Sequence, residues 1–189
     1  MEVLTKKVQK NIRRFSTIVV VNILIIGICS AEIREESILS RPIIEGKSIA
    51  GVNIGDHESD IYKAIGFPDK LESNFSTDPG LEGKGLKLLI YGIGEGGLLL
   101  MYTRYQRVDA IWLFGHPGKS PYKGRTKKGV GLGDSSESVR RKYGPPDQEE
   151  TWLYKKYGIA FGVDEKGTVG GILISKPNTD LSDYMRMRP

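Results

Sequence analysis

Cysteine is nearly absent from this chain: Cys29 is the single copy in 189 residues. One thiol makes no internal disulfide and no Cys-based metal site, so the fold has to rest on its core. Histidine is scarce as well, with His57 and His116 the two copies. A His and carboxylate metal site needs several convergent ligands, and nothing here has that spacing. No nucleophile sits in a glycine-flanked elbow either. An excess of one charge is also missing from most of the chain. The formal net charge is +5, but residues 1–31 hold five basic groups and one acid, which leaves 23 basic and 22 acidic groups beyond them. A near-neutral body excludes nucleic acid as the expected partner, because phosphate backbones demand a concentrated excess of Lys and Arg.

No apolar run has the length of a bilayer-spanning helix. The run within residues 16–31 is about 15 residues, short for a span and right for the apolar stretch of an export signal. It follows a basic segment (Lys6, Lys7, Lys10, Arg13, Arg14), and Cys29-Ser30-Ala31 supplies small residues for cleavage after Ala31. Residues 1–31 therefore read as a signal peptide. Retention as an N-terminal anchor and lipidation at Cys29 are the other two readings, and either would bring membrane association. Ile28, before the cysteine, departs from the small residue that acylation prefers.

The most informative feature present is a phrase used twice, at 51–69 and at 129–147, 78 positions apart. Seven of the 19 aligned positions are identical: Gly51/Gly129, Val52/Val130, Gly55/Gly133, Asp56/Asp134, Gly66/Gly144, Pro68/Pro146 and Asp69/Asp147. In each copy the Asp of the Gly-Asp pair is expected at a helix N-cap, with Glu137 completing a capping box in the second. Ile61 and Ile65, and Val139 and Tyr143, form one-turn apolar stripes. Gly66 and Gly144 end the helices, and Pro68 and Pro146 prevent continuation. Helices this short need a flat surface to dock on. Period-two segments at 86–91, 98–103 and 107–114, then at 151–154, 158–163 and 168–174, read as that surface. The expected fold is α+β: two tandem units, each a short helix packed on a three-stranded antiparallel meander. The boundaries are a leader at 32–46, a first repeat at 47–116, a basic linker at 117–128, a second repeat at 129–176 and a C-terminal tail at 177–189.

Several apparent motifs dissolve on inspection. Residues 92–97 spell G-x-G-x-x-G, but a strand-like run follows where a dinucleotide site needs a helix. Gly118-Lys119-Ser120 lacks the glycine of a phosphate loop, since Leu113 stands in its place. Asp69 and Asp147 read as carboxylates that accept backbone N–H groups in a turn, not as a catalytic pair. No cofactor and no catalytic residue is expected.

The phrase and the strands after it resemble the β-lactamase-inhibitory-protein-like fold and the small SmpA/OmlA outer-membrane lipoproteins, over about residues 47–175. The resemblance carries over the phrase positions as structural: Gly55, Asp56, Gly66, Pro68 and Asp69, and Gly133, Asp134, Gly144, Pro146 and Asp147. It implies a sheet surface that grips a partner protein, or an accessory role in outer-membrane assembly. The expected function is an exported, non-catalytic protein–protein interaction or scaffold protein of the cell envelope, periplasmic or extracellular, whose partner protein is unknown. The alternatives are an envelope small-molecule or lipid binder and an inhibitor of a secreted enzyme. Tyr102, Trp112, Trp152 and Tyr154 are candidate partner contacts, since Trp and Tyr dominate binding hot spots. Lys119, Lys123, Arg125, Lys127 and Lys128 are candidate anion contacts.

Overall fold

The computed structural model describes residues 37–73, 86–94, 96–115, 122–181 and 184. The proposed signal, Cys29, Lys119, His116 and the 118–120 motif lie outside them. The chain divides at Ser37/Ile38, and all that follows concerns the second unit. Among the described residues, no helix is long and apolar enough to cross a membrane.

A two-residue ladder, β1 (Ser48–Ile49) with β2 (Val52–Asn53), precedes helix α1 (Glu58–Ile65). Then come β3 (Lys70–Ser73), β4 (Leu86–Gly92), β5 (Gly97–Arg104) and β6 (Arg107–Gly115). Helix α2 (Ser136–Tyr143) leads to β7 (Leu153–Tyr154), a 3-10 turn (Lys155–Tyr157), β8 (Ile159–Val163) and β9 (Val169–Ser175). Strands β3 to β9 form one antiparallel sheet in the order β3-β4-β5-β6-β9-β8-β7.

This corrects the expectation of two tandem helix-plus-meander units. The structure is mostly strand with little helix, and all the long strands share one sheet. The joint is β6 against β9, from Ala110 opposite Ser175 to Phe114 opposite Gly171. Pairing these strands satisfies two edges that separate meanders would leave open. The two stretches also differ in strand content. The first adds β3, whose Lys-Leu-Glu-Ser sequence carries too little apolar signal to read as a strand. The second opens on a strand of two residues, because Trp152 has φ 46° and leaves the extended region.

Both helices lie on one face of the sheet. Ile61 and Val139 are fully buried there with Leu89, Leu99, Met101, Ile111, Leu113, Phe161 and Ile172. Burying one such side chain contributes about 1.5–3 kcal/mol, which is what holds an eight-residue helix in place. The other face buries Leu88, Leu100, Tyr102, Trp112, Ala160 and Leu173, with Leu181 and Tyr184 packed against them. Tyr184 donates to Asp109 Oδ2 at 2.7 Å and its ring meets Tyr102 edge-on. So Leu181 and Tyr184 of the 177–189 tail are docked on the sheet. The described part of the 117–128 stretch also makes tertiary contacts. Lys123 N–H donates to Leu39 O and Ile43 N–H to Arg125 O, so it pairs with the leader. Tyr122 is buried, accepts Ala50 N–H and donates to Arg41 O.

Candidate functional site

Each copy of the phrase builds the same housing for its helix, and the details differ from the sequence reading. His57 and Ser135 are the N-caps, accepting from Ser59 N–H and Ser138 N–H. Asp56 and Asp134 sit one residue earlier and close the turn before the helix. Asp56 Oδ2 accepts Asn53 N–H at 2.8 Å, and Asp134 Oδ2 accepts Gly131 N–H at 3.1 Å. After the helix, Asp69 accepts Gly92 N–H and Asp147 accepts Lys155 N–H, both at 2.6 Å. These carboxylates are spent on backbone amides, as a turn role requires. Among the described residues, no group of three His, Cys, Asp or Glu could hold a metal ion.

The candidate partner contacts separate. Tyr102 and Trp112 are buried on the face away from the helices, and Tyr154 is buried on the helix face. None of the three offers its ring to a partner. Trp152 differs: it is partly buried against the core and lines a cleft of about 480 Å³ with Ser136, Glu137, Arg140 and Arg141. The α2 sequence explains the cleft wall. Val139 and Tyr143 point inward, so Glu137, Arg140 and Arg141 project outward. The Arg140 guanidinium lies 5.2 Å from the Trp152 ring centroid. The same group binds Glu149 bidentately, at 3.2 and 2.8 Å. Arg141 touches Ser138 Oγ only at 3.5 Å and projects from the rim. The Glu137 carboxyl is held below the ordinary carboxylate value by its own backbone N–H and then by the Ser135 hydroxyl. It therefore stays ionised beside the two arginines. A Trp with positive φ costs about 1 kcal/mol or more, so the backbone is strained where the ring meets the cleft.

The candidate anion contacts separate too. Arg125 pairs with Asp134 at 2.8 Å and donates to Gly129 O at 2.8 Å. Lys123 is exposed. Lys127 and Lys128 line a second cleft, of about 540 Å³, with Glu45, Lys156, Tyr157 and Pro177. Sequence reasoning missed Arg140, Arg141, Lys156 and Tyr157. The Arg pair on the polar face of α2 was the available signal, while Lys156 and Tyr157 fall between two strand-like segments.

The described residues form an α+β domain, mostly strand, with one cleft along its second helix and another beside the 3-10 turn. No family model matches the chain, and no curated protein matches it. Among solved structures it is similar to a cysteine-rich secretory protein from Staphylococcus aureus, at 12% identity and TM-score 0.47, over 72% of this chain and 48% of that one. It is similar also to an extracellular protein containing an SCP domain from Bacillus anthracis, at 12% identity and TM-score 0.47, over 70% and 46%. The chain thus spans about half the length of each. These neighbours replace the resemblance to β-lactamase-inhibitory-protein-like and SmpA/OmlA proteins, which is corrected. The physical reason is that the phrase specifies caps and turns around one helix, and such caps serve many sheets. At this identity and TM-score the neighbours bring no activity to the chain, which with its single cysteine is not itself cysteine-rich.

Proposed function

We propose that the chain is an exported, non-catalytic binding protein of the cell envelope that holds a partner protein in the Trp152 cleft. Export rests on the basic-then-apolar order of residues 1–31. The observation that carries the binding role is Trp152 itself. It is a strained, partly exposed indole stacked under Arg140, with Arg141 on the rim. Trp and Arg are the residue types that dominate protein–protein hot spots, and a preformed pair loses little freedom on association. The cleft has charged groups of both signs and no convergent nucleophile, base and oxyanion donor, which is the pattern of a contact surface and not of a reaction centre.

A photocrosslinking residue at Ser136, in the full chain in its own envelope, tests this. One discrete protein adduct is expected. Arg141→Glu should reduce it at least tenfold and Trp152→Ala by roughly thirtyfold, as hot-spot truncations do. The same crosslinker at Leu98, exposed on β5, should give none. An adduct that survives Arg141→Glu unchanged overturns the assignment.

A further inference from the structure

We infer that the second cleft, between Lys127, Lys128, Lys156 and Tyr157, binds a phosphate group carried by a small ligand or a lipid headgroup. This inference is independent of the Trp152 cleft. Three ammonium groups from two distant stretches of chain converge on one concavity with a single carboxylate, Glu45. That concentration is local, because the chain beyond residue 31 is otherwise nearly balanced in charge.

The site is partly pre-built. Lys128 Nζ donates to Lys142 O at 2.9 Å and to Tyr157 Oη at 3.2 Å. It lies 4.8 Å from the Tyr143 ring centroid and 4.6 Å from that of Tyr157. An ammonium has three donors, so a fixed Lys128 keeps one for a ligand without a new loss of side-chain freedom. Lys127 and Lys156 are exposed and free to swing, and Lys156 Nζ already lies 5.9 Å from the Tyr157 ring centroid. Glu45, the one carboxylate in the lining, accepts the Tyr143 hydroxyl at 2.6 Å. Tyr157 and Pro177 supply an apolar floor for the body that carries the phosphate.

Phosphate fits better than carboxylate. Three compact cations match a group with three terminal oxygens and a charge near −1.5 to −2, whereas one carboxylate would leave at least one ammonium unpaired. A nucleic acid would need the positive charge to continue along a track, and the described lining of this cleft holds these three cations alone.

The test uses the purified full chain in two arms. In the first, glycerol phosphate and inorganic phosphate are titrated in solution and followed by Tyr157 and lysine side-chain NMR shifts. In the second, binding to phosphatidylcholine vesicles with phosphatidylglycerol is compared with binding to vesicles without it, because residues 1–31 alone could reach any bilayer. Saturable binding is expected in at least one arm. Lys127→Gln with Lys156→Gln should weaken it by roughly tenfold or more, each cation near an anionic surface contributing about a factor of five. Glu45→Gln should tighten it. Saturation by the soluble phosphates assigns a free ligand, and a response to the anionic vesicles alone assigns a lipid headgroup; both support the site. Absence of binding in both arms, or binding that the double variant leaves unchanged while circular dichroism shows it folded, overturns it.

Discussion

The two copies of the phrase make the same inner contacts and opposite outer ones. Inside, Ile61 and Val139 occupy aligned positions and are equally buried. The Gly66 carbonyl accepts the Tyr91 hydroxyl at 3.2 Å, and the Gly144 carbonyl accepts the Tyr154 hydroxyl at 3.1 Å. Outside, the aligned pairs diverge. Glu58 turns inward to Thr103 Oγ1 at 2.7 Å and Lys87 Nζ at 3.1 Å, while Ser136 leaves that place open and lines the Trp152 cleft. Tyr62 packs on Phe67 at 5.0 Å, where Arg140 stacks on Trp152. The shared letters therefore encode how a short helix is seated. The unshared ones decide whether its outer face is closed by its own residues or left as a cleft.

The largest expected break in that comparison is Glu58→Ala against Ser136→Ala. Removing Glu58 strands a fully buried hydroxyl and a half-buried ammonium, and hydrogen bonds to charged groups contribute about 1.5–3 kcal/mol. Urea unfolding should show a loss of about 2–3 kcal/mol with an unchanged m value. Ser136→Ala should stay within about 0.5 kcal/mol of the parent, as surface changes do. Equal losses would mean that the two outer faces are built alike after all. Gly66→Ala and Gly144→Ala sharpen the likeness instead. Both glycines have positive φ (94° and 85°) with ψ near 180°, a region only glycine occupies comfortably. A Cβ at either meets open space, so the cost is backbone strain alone. About 1–2 kcal/mol is expected for each, and the two values should agree.

Most of this inner seating could be read from the residues. The glycine stops and the strands at 86–91, 98–103, 107–114, 158–163 and 168–174 appear where period and turn chemistry put them. A bulge sits at the Gly170-Gly171 pair, with Gly170 skipped between Val169 and Gly171 in the β8 register. The caps were misplaced by one residue because two acceptors compete. Asp56 and Asp134 reach back to an amide three residues earlier, which leaves the helix start to His57 and Ser135. The single sheet was not legible, because strand pairing between residues 57 to 65 positions apart leaves no local trace. The clefts were half legible. Trp152 stands out by type, but Arg140 and Arg141 look like any solvated helix face. A run of cations also does not reveal that Arg125 is spent on Asp134 while Lys127 and Lys128 meet Lys156.

The smallest effect tests the shared anchor itself. Tyr91→Phe and Tyr154→Phe each remove one hydroxyl that donates to a helix-ending carbonyl, and each should cost about 1 kcal/mol near neutral pH. The pH profile separates this from simple repacking. Burial pushes both phenols above their ordinary value near 10, and it does the same to Tyr102, Tyr122 and Tyr143. Above pH 10 the unfolded chain loses these protons while the folded chain keeps them. The unfolded state then binds fewer protons, so stability falls as pH rises, by at most about 1.4 kcal/mol per unit for each such tyrosine. A Phe variant has one fewer of them, so its decline should be shallower and its deficit against the parent should shrink above pH 10. If Tyr91→Phe shows this behaviour and Tyr154→Phe does not, the second helix is held by the packing of its own Val139 and Tyr143 on the sheet, and the inner likeness stops at the backbone.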